Sequence, residues 1–371
     1  MKVLVDATGP GAVGVITYVR ELAAAWPASP GTNDELVVMW PAGINPGSSP
    51  SASVKYEHLA DRRGSRLWWL LLGGRCWSRR HGVDAWLATI PVAPIWGTGR
   101  PTAVIVHDLR HQILPHEFTL KQRCQRALLY RLAYRQADVL IAISNRTKGD
   151  FVTRWRRHQA KMRVVPSGSR RPNGDLAPPR ELAGRKVILA FGHHSNKRPE
   201  LAIQGWAAVD AAAREGLTLL ILGAVGKRNG ELQALCDQLG LSGEAAIVMS
   251  RRLTDDEYGG LLNRAVLVVL PSTFEGFGLP VLEAFANGIP VVTSGDPALL
   301  EVAGGLAVAV DNASPAAWGA AIASALDSDE RARAARRRRA DTYRWEATAA
   351  AVRQCLLEVS SSVAGSSSGG V

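Results

Sequence analysis

The sequence predicts an α/β protein built on two parallel sheets. Short apolar runs recur along the chain between turn residues, helical periodicity fills the intervals, and the runs are too many for one sheet. In order, residues 2–6, 36–40, 85–88, 103–107 and 139–143 read as buried strands of a first domain. Residues 186–191, 218–222, 245–249, 266–270 and 290–293 read as strands of a second. A Gly/Pro-rich loop at 8–14 and an amphipathic helix at 17–26 follow the first strand, and residues 41–53 are loop by composition. Both halves open with strand, glycine-containing loop and helix, so two facing Rossmann-like domains are expected. Turn residues without a period at 167–179 mark the break. The expected parts are therefore 1–168, 180–342, a terminal helix at 343–359 and a flexible tail at 360–371 rich in Ser and Gly.

Composition excludes several classes. With 371 residues, 47% hydrophobic and 21% charged, the chain can bury two cores and is not a disordered protein. Met1 to Asp6 reads as a strand and not as a secretory leader, and the run Leu67 to Leu72 is too short to span a bilayer. The four cysteines (76, 124, 236 and 355) form no Cys-x-x-Cys pair, and no His cluster stands at ligand spacing. Reduced thiols in a cytoplasmic protein are expected, with no metal required.

The net charge of +11 is unevenly spread. Residues 1–171 hold 25 Lys and Arg against 11 Asp and Glu, a net of +14, while residues 172–371 carry a net of −3. Eight of the eleven tryptophans also lie in the first half. A basic, Trp-rich half fits an anionic partner or membrane surface; an arginine-rich compositional bias gives the same numbers. Arg62 to Arg80 and residues 121–135 mix basic and apolar residues in a way suited to an anionic interface. Ordinary domain helices with tryptophan in the core fit these segments equally well.

The most informative segment is Pro271-Ser-Thr-Phe-Glu275-Gly-Phe-Gly278-Leu-Pro280-Val-Leu-Glu283, where a buried strand turns into a helix. Gly276 and Gly278 let backbone approach a ligand, and amides at the helix start favour a phosphate. Pro280 suits a first helical turn. Two carboxylates beside an anion site cannot themselves bind the anion, so Glu275 and Glu283 are assigned to hydroxyl groups. A second basic loop, Gly192-His193-His194-Ser195-Asn196-Lys197-Arg198, also lies between strand and helix, where fixed cations can stabilise a leaving diphosphate.

This segment resembles the Glu-x7-Glu motif of the retaining glycosyltransferases of family 4, which have the GT-B fold. Further stretches carry the resemblance across residues 2–356, among them 137–148, Val164-Val-Pro-Ser-Gly168, Leu220-Ile-Leu-Gly223, 291–305 and Arg344-Trp345-Glu346. The resemblance implies a C-terminal helix packing back on the first domain. It implies Glu283 on the nucleotide ribose, Glu275 near the donor sugar, and the amides of Gly276, Phe277, Gly278 and Leu279 on the diphosphate or sugar. Lys197 matches the family lysine, but His193 stands where an arginine is usual, which leaves Lys197 as the main cation with Arg198 and His193 assisting. The glycine loop with Gly14 resembles the family loop that approaches donor phosphate and acceptor. His107, with Asp108, occupies the strand-end position that lines the reacting sugar, and Tyr18 falls on the acceptor side. His111 and His116 read as acceptor-side or plain surface.

A nucleotide-diphosphate sugar donor of GDP-mannose, UDP-sugar or dTDP-rhamnose type is thereby implied. The expected acceptor is a saccharide, lipid-linked in envelope or polysaccharide synthesis, reached by a peripheral protein on the cytoplasmic face of the plasma membrane. In the family mechanism the acceptor attacks the face the nucleotide leaves, so the anomeric configuration is retained. A sugar-nucleotide epimerase and a non-catalytic scaffold fit the same fold, although intact Glu275, Glu283 and Lys197 argue against the scaffold. Asp327-Ser-Asp329 reads as a helix N-cap and not as a metal–nucleotide signature, and Arg331 to Arg339, with six arginines, as a solvated helical face. Nucleic-acid binding is not expected, since no recognition fold accompanies the basic stretch.

Overall fold

A computed structural model describes all residues except 10–12, 27–33, 172–181, 183–184, 242, 244, 252, 328 and 368–371, with the backbone alone at 13 and 362–367. The chain divides into two compact units, Met1–Gly168 with Arg344–Val371, and Ser169–Tyr343.

The first unit has a seven-stranded parallel sheet. Its strands are β1 (Lys2–Asp6), β2 (Glu35–Trp40), β3 (Val54–His58), β4 (Ala85–Ala88), β5 (Thr102–Val106), β6 (Val139–Ala142) and β7 (Met162–Val164), in the order β3-β2-β1-β4-β5-β6-β7. The second unit has six parallel strands, β8 (Lys186–Phe191), β9 (Leu217–Leu222), β10 (Ala246–Met249), β11 (Ala265–Leu270), β12 (Val291–Ser294) and β13 (Val308–Val310). Their order is β10-β9-β8-β11-β12-β13. Each chain path starts mid-sheet, runs to one edge and returns to build the other side. The reversal lies between β1 and β4 in the first unit and between β8 and β11 in the second. Open α/β sheets bind ligands beyond the carboxyl ends of the strands at such a reversal.

Helices cover the sheets because parallel strands are apolar on both faces. In the second unit Trp206 and Trp318, each at most 1% exposed, pack against Ile188, Leu219, Ile221 and Val269. Their indole N–H groups donate to the carbonyls of Ala245 and Asn312, both at 2.9 Å, so neither polar tip is left unpaired.

Of the predicted domain break at 167–179, residues 172–179 lie outside the described residues. Of the tail expected at 360–371, residues 368–371 lie outside the described residues, and the backbone before them is helical. The final helix runs Trp345–Ser367, and within it Ser360 and Ser361 donate their hydroxyls to the carbonyls of Leu356 and Leu357. This helix belongs to the first unit. Arg353 bonds Asp34, Thr348 Oγ1 donates to the Pro166 carbonyl at 2.8 Å, and Trp345 packs on Tyr18.

The arginine-rich helix Glu330–Asp341 also departs from expectation. Asp329 caps it by accepting from the Ala332 amide at 2.7 Å. It is not simply a solvated face, however. Arg336 is buried and donates to the Gly288 carbonyl at 3.0 Å, and Arg339 donates to the carbonyls of Val302 and Glu301 at 2.9 and 2.7 Å. Carbonyls left open at helix ends and turns accept these guanidinium donors.

Candidate active site

In the second unit the reversal between β8 and β11 sets two loops side by side. After β8 the chain makes a turn at Ser195–Lys197 and enters the helix Pro199–Ala207; after β11 it passes through 271–278 into the helix Leu279–Ala286. Asn196 fastens the loops together. Its side-chain amide donates to the Phe274 carbonyl at 2.8 Å, and its own carbonyl accepts from the Thr273 amide at 2.8 Å. Asp296 fixes the far side, accepting from the Glu275 amide at 3.3 Å while capping the helix Pro297–Ala303.

This frame brings Lys197 and Glu275 together. Lys197 Nζ lies 2.6 Å from Glu275 Oε1, and the two side chains are 10% and 13% exposed, so the pair is largely shielded from water. Gly278 has φ +117°, and a Cβ there would approach Leu299 to 3.0 Å, so the turn into the helix requires glycine. Arg198, at φ +46°, is the only non-glycine residue in the left-handed region among the described residues. Such a conformation costs roughly 1–3 kcal/mol and persists where surrounding structure dictates it. Here it carries the chain directly from Lys197 into Pro199, the first residue of the next helix.

Glu283, on the helix Leu279–Ala286, is 6% exposed. Its Oε1 accepts from Arg170 Nε and its Oε2 from the Tyr258 hydroxyl, both at 2.9 Å. Sequence reasoning missed both partners. They lie 113 and 25 residues away, and no local pattern links them to Glu283. His193 is exposed, its ring 4.9 Å from that of His194. Near it, Arg228 donates to the Gly192 carbonyl at 3.2 Å and pairs with Glu200 at 2.9 Å.

The resemblance assigns Phe277 through its backbone amide and not through its ring. The residue is buried, with its ring edge-on to Tyr343 at 5.8 Å, so only its backbone is available to a ligand. Leu279 and Gly276 are half-buried at the loop surface.

In the first unit, His107 and Asp108 stand beyond β5, beside the reversal between β1 and β4. His107 Nε2 lies 2.8 Å from the Thr89 carbonyl, which assigns the proton to Nε2 and leaves Nδ1 as the acceptor. Desolvation holds His107 below the ordinary imidazole range, against the Thr89 carbonyl and the Asp108 carboxylate, which push it up. A neutral ring at pH 7 follows. Asp108 accepts from the Arg110 amide at 2.9 Å.

Tyr18 is also corrected. It is 1% exposed, its ring edge-on to both His107 and Trp345 at 5.2 Å, so it backs His107 and does not itself meet an acceptor. His111 is buried against Phe118 and Tyr130, with its pKa lowered to about 4 chiefly by desolvation, whereas His116 is exposed. Gly14 lies in the first turn of the helix Val13–Ala25 with open space where a Cβ would be; the loop residues 10–12 before it lie outside the described residues. Among the described residues no three His, Cys, Asp or Glu side chains come together as a metal site.

Two parallel-sheet Rossmann-like units, the second with charged loops at its sheet's reversal, define a GT-B type α/β protein. The family model described as "Glycosyl transferases group 1" matches residues 177–342, and that described as "Glycosyltransferase Family 4" matches residues 13–169. The chain belongs to the family 4 type of glycosyltransferases.

Among curated relatives, it is similar to an MMP alpha-(1->4)-mannosyltransferase of Mycolicibacterium hassiacum, 29% identical over 58% of this chain and 53% of that one. It is also similar to a D-inositol 3-phosphate glycosyltransferase of Salinispora tropica, 30% identical over 57% and 49% of the two chains. The matches thus span about half the length of these relatives. Among solved structures, sucrose-phosphate synthase from Thermosynechococcus elongatus superposes with TM-score 0.73 at 18% identity, covering 97% of this chain and 99% of that one. Anabaena HepE in complex with UDP and glucose superposes with TM-score 0.65 at 18% identity, covering 99% of each. These two likenesses concern the fold.

Proposed function

We propose that the protein is a retaining glycosyltransferase that takes a sugar from a nucleotide-diphosphate donor held by the second unit. The observation that carries this reading is the shielded Lys197–Glu275 pair at the β8/β11 reversal, with Glu283 one helical stretch further on. In the reaction the bond from the anomeric carbon to the diphosphate oxygen breaks, a bond to the acceptor oxygen forms, and the acceptor proton passes to the departing phosphate. Lys197 stabilises charge on that phosphate, Glu275 lies against the sugar, and the carboxylate of Glu283 accepts from the ribose hydroxyls. His107, neutral and fixed by Thr89, keeps Nδ1 as a hydrogen-bond acceptor suited to a sugar hydroxyl. No step calls for a metal.

The donor class covers GDP-mannose, UDP-sugars and dTDP-rhamnose, and the similarity to a mannosyltransferase and an inositol-phosphate glycosyltransferase supports a sugar donor of this kind. A screen of these donors with anomeric analysis of the product tests the reading. Retention with one donor is expected; an inverted product, or turnover of the nucleotide sugar to an isomer without acceptor, overturns it in favour of another mechanism or of an epimerase.

We further propose that the acceptor is lipid-linked and that the first unit docks on an anionic membrane face. No helix among the described residues is long and apolar enough to cross a membrane. The segment 65–80 instead presents apolar residues outward. A π-helical turn at Trp69–Gly73 interrupts its α-helix, burying Trp69 while Trp68 and Leu72 stay 57% and 53% exposed. Arg62, Arg63, Arg66, Arg79 and Arg80 around them are exposed. Leu120 and Leu128 of the basic helix Leu120–Gln136 are exposed too. Anionic lipid attracts such arginines by about 1 kcal/mol each, while the Trp and Leu side chains enter the interface. Binding to phosphatidylglycerol vesicles that falls at least tenfold in Arg79→Glu/Arg80→Glu, and falls with rising salt, is expected. Equal binding by wild type and variant rejects the surface.

A further inference from the structure

Glu283 is gripped from two directions by residues that the catalytic reading leaves unused. Arg170 reaches Oε1 and Tyr258 reaches Oε2. Arg170 pairs also with Asp255 at 3.3 Å, and its neighbour Arg171 donates to the Ala286 carbonyl at the end of the same helix. The Arg170 and Glu283 side chains are 15% and 8% exposed, so the pair is largely out of water, where a charged partner fixes a carboxylate far better than a surface pair does. Burial, then the neighbouring Glu283 charge, holds the Tyr258 phenol well above its ordinary value, so the hydroxyl stays a donor.

We propose that Arg170 is a positioning residue that sets the Glu283 carboxylate to receive a ribose diol, with Tyr258 as the second clamp. The inference rests on the reading that Glu283 takes the ribose hydroxyls. A carboxylate has about four acceptor positions. Arg170 and Tyr258 take one on each oxygen, which by count leaves one on each oxygen, the number that two adjacent hydroxyls need. Arg170 also supplies positive charge against Glu283, so a diphosphate bound on the same nucleotide meets a neutralised carboxylate. Losing either clamp leaves the carboxylate free to rotate away from that geometry, and losing Arg170 leaves it unneutralised as well.

The test is calorimetric binding of GDP, UDP and their 2′-deoxy counterparts to wild type, Glu283→Ala, Arg170→Met, Arg170→Lys and Tyr258→Phe. Hydrogen bonds to a charged group imply a wild-type preference for the ribonucleotide of about 10- to 100-fold. Glu283→Ala is expected to erase it, Arg170→Met to reduce it below about threefold, and Arg170→Lys and Tyr258→Phe to give intermediate ratios. A ratio within one protein is insensitive to the fraction folded. If Arg170→Met does not fold, the two milder variants decide, and wild-type ratios in both overturn the proposal. Loss of the preference in Glu283→Ala with its retention in Arg170→Met overturns the role of Arg170 and leaves the ribose reading standing. Retention in Glu283→Ala overturns the ribose reading and, with it, the inference.

Discussion

Lys197→Ala is expected to lower kcat/KM for sugar transfer by about 10²–10³-fold, the range for removing one fixed stabiliser of developing transition-state charge. Two effects combine. The substitution removes the ammonium that faces a leaving diphosphate, and it leaves the Glu275 carboxylate, 2.6 Å away in the native pair, buried without that cation beside an anionic ligand. The second effect acts on the ground state as well as the transition state, so donor binding weakens too. Lys197→Ala/Glu275→Gln separates the two. It should regain much of the donor affinity, because the repelling charge is gone, yet recover little of kcat. A single variant with kcat within threefold of wild type at saturating donor would remove Lys197 from the chemistry.

Trp345→Ala should destabilise the first unit by about 3–5 kcal/mol, as expected for a large aromatic removed from a packed interior. Trp345 is 6% exposed and opens the final helix. A Cβ built on Gly168 would lie 2.5 Å from its backbone nitrogen, so the chain leaves no slack there. Its indole supports Tyr18, and Tyr18 supports His107. The cavity therefore opens two residues behind a site residue. Thermal unfolding should show the first unit melting earlier, and activity should fall even at temperatures where the variant remains folded. Loss of stability with kcat/KM unchanged would show that His107 holds its position through Thr89 alone.

Where sequence and structure part company, exposure explains most of it. The central strands were legible because they are buried on both faces and therefore read as unbroken apolar runs. The three strands that were not legible, β3, β7 and β13, all lie at sheet edges. Their exposed positions, such as Lys55 and Glu57 in β3 and Arg163 in β7, break the run and leave no strand signature. The same reasoning inverts for Tyr18. Its place beside a loop suggested ligand contact, but an aromatic ring in such a place can equally serve as packing, as its burial against His107 and Trp345 shows.

For the candidate site, the amino-acid order alone established which loops carry chemistry. Glycine is required where the backbone must turn or approach a ligand, a carboxylate pair cannot bind an anion, and a lysine after a strand end supplies a fixed cation; each follows from local chemistry. Tertiary structure decided the pairings. Lys197 meets Glu275 across 78 residues, a contact that arises only when β8 and β11 become neighbours at the reversal, and Arg170 meets Glu283 across 113. Periodicity reports on which face of an element is buried, and it carries no information about which distant side chain will arrive there.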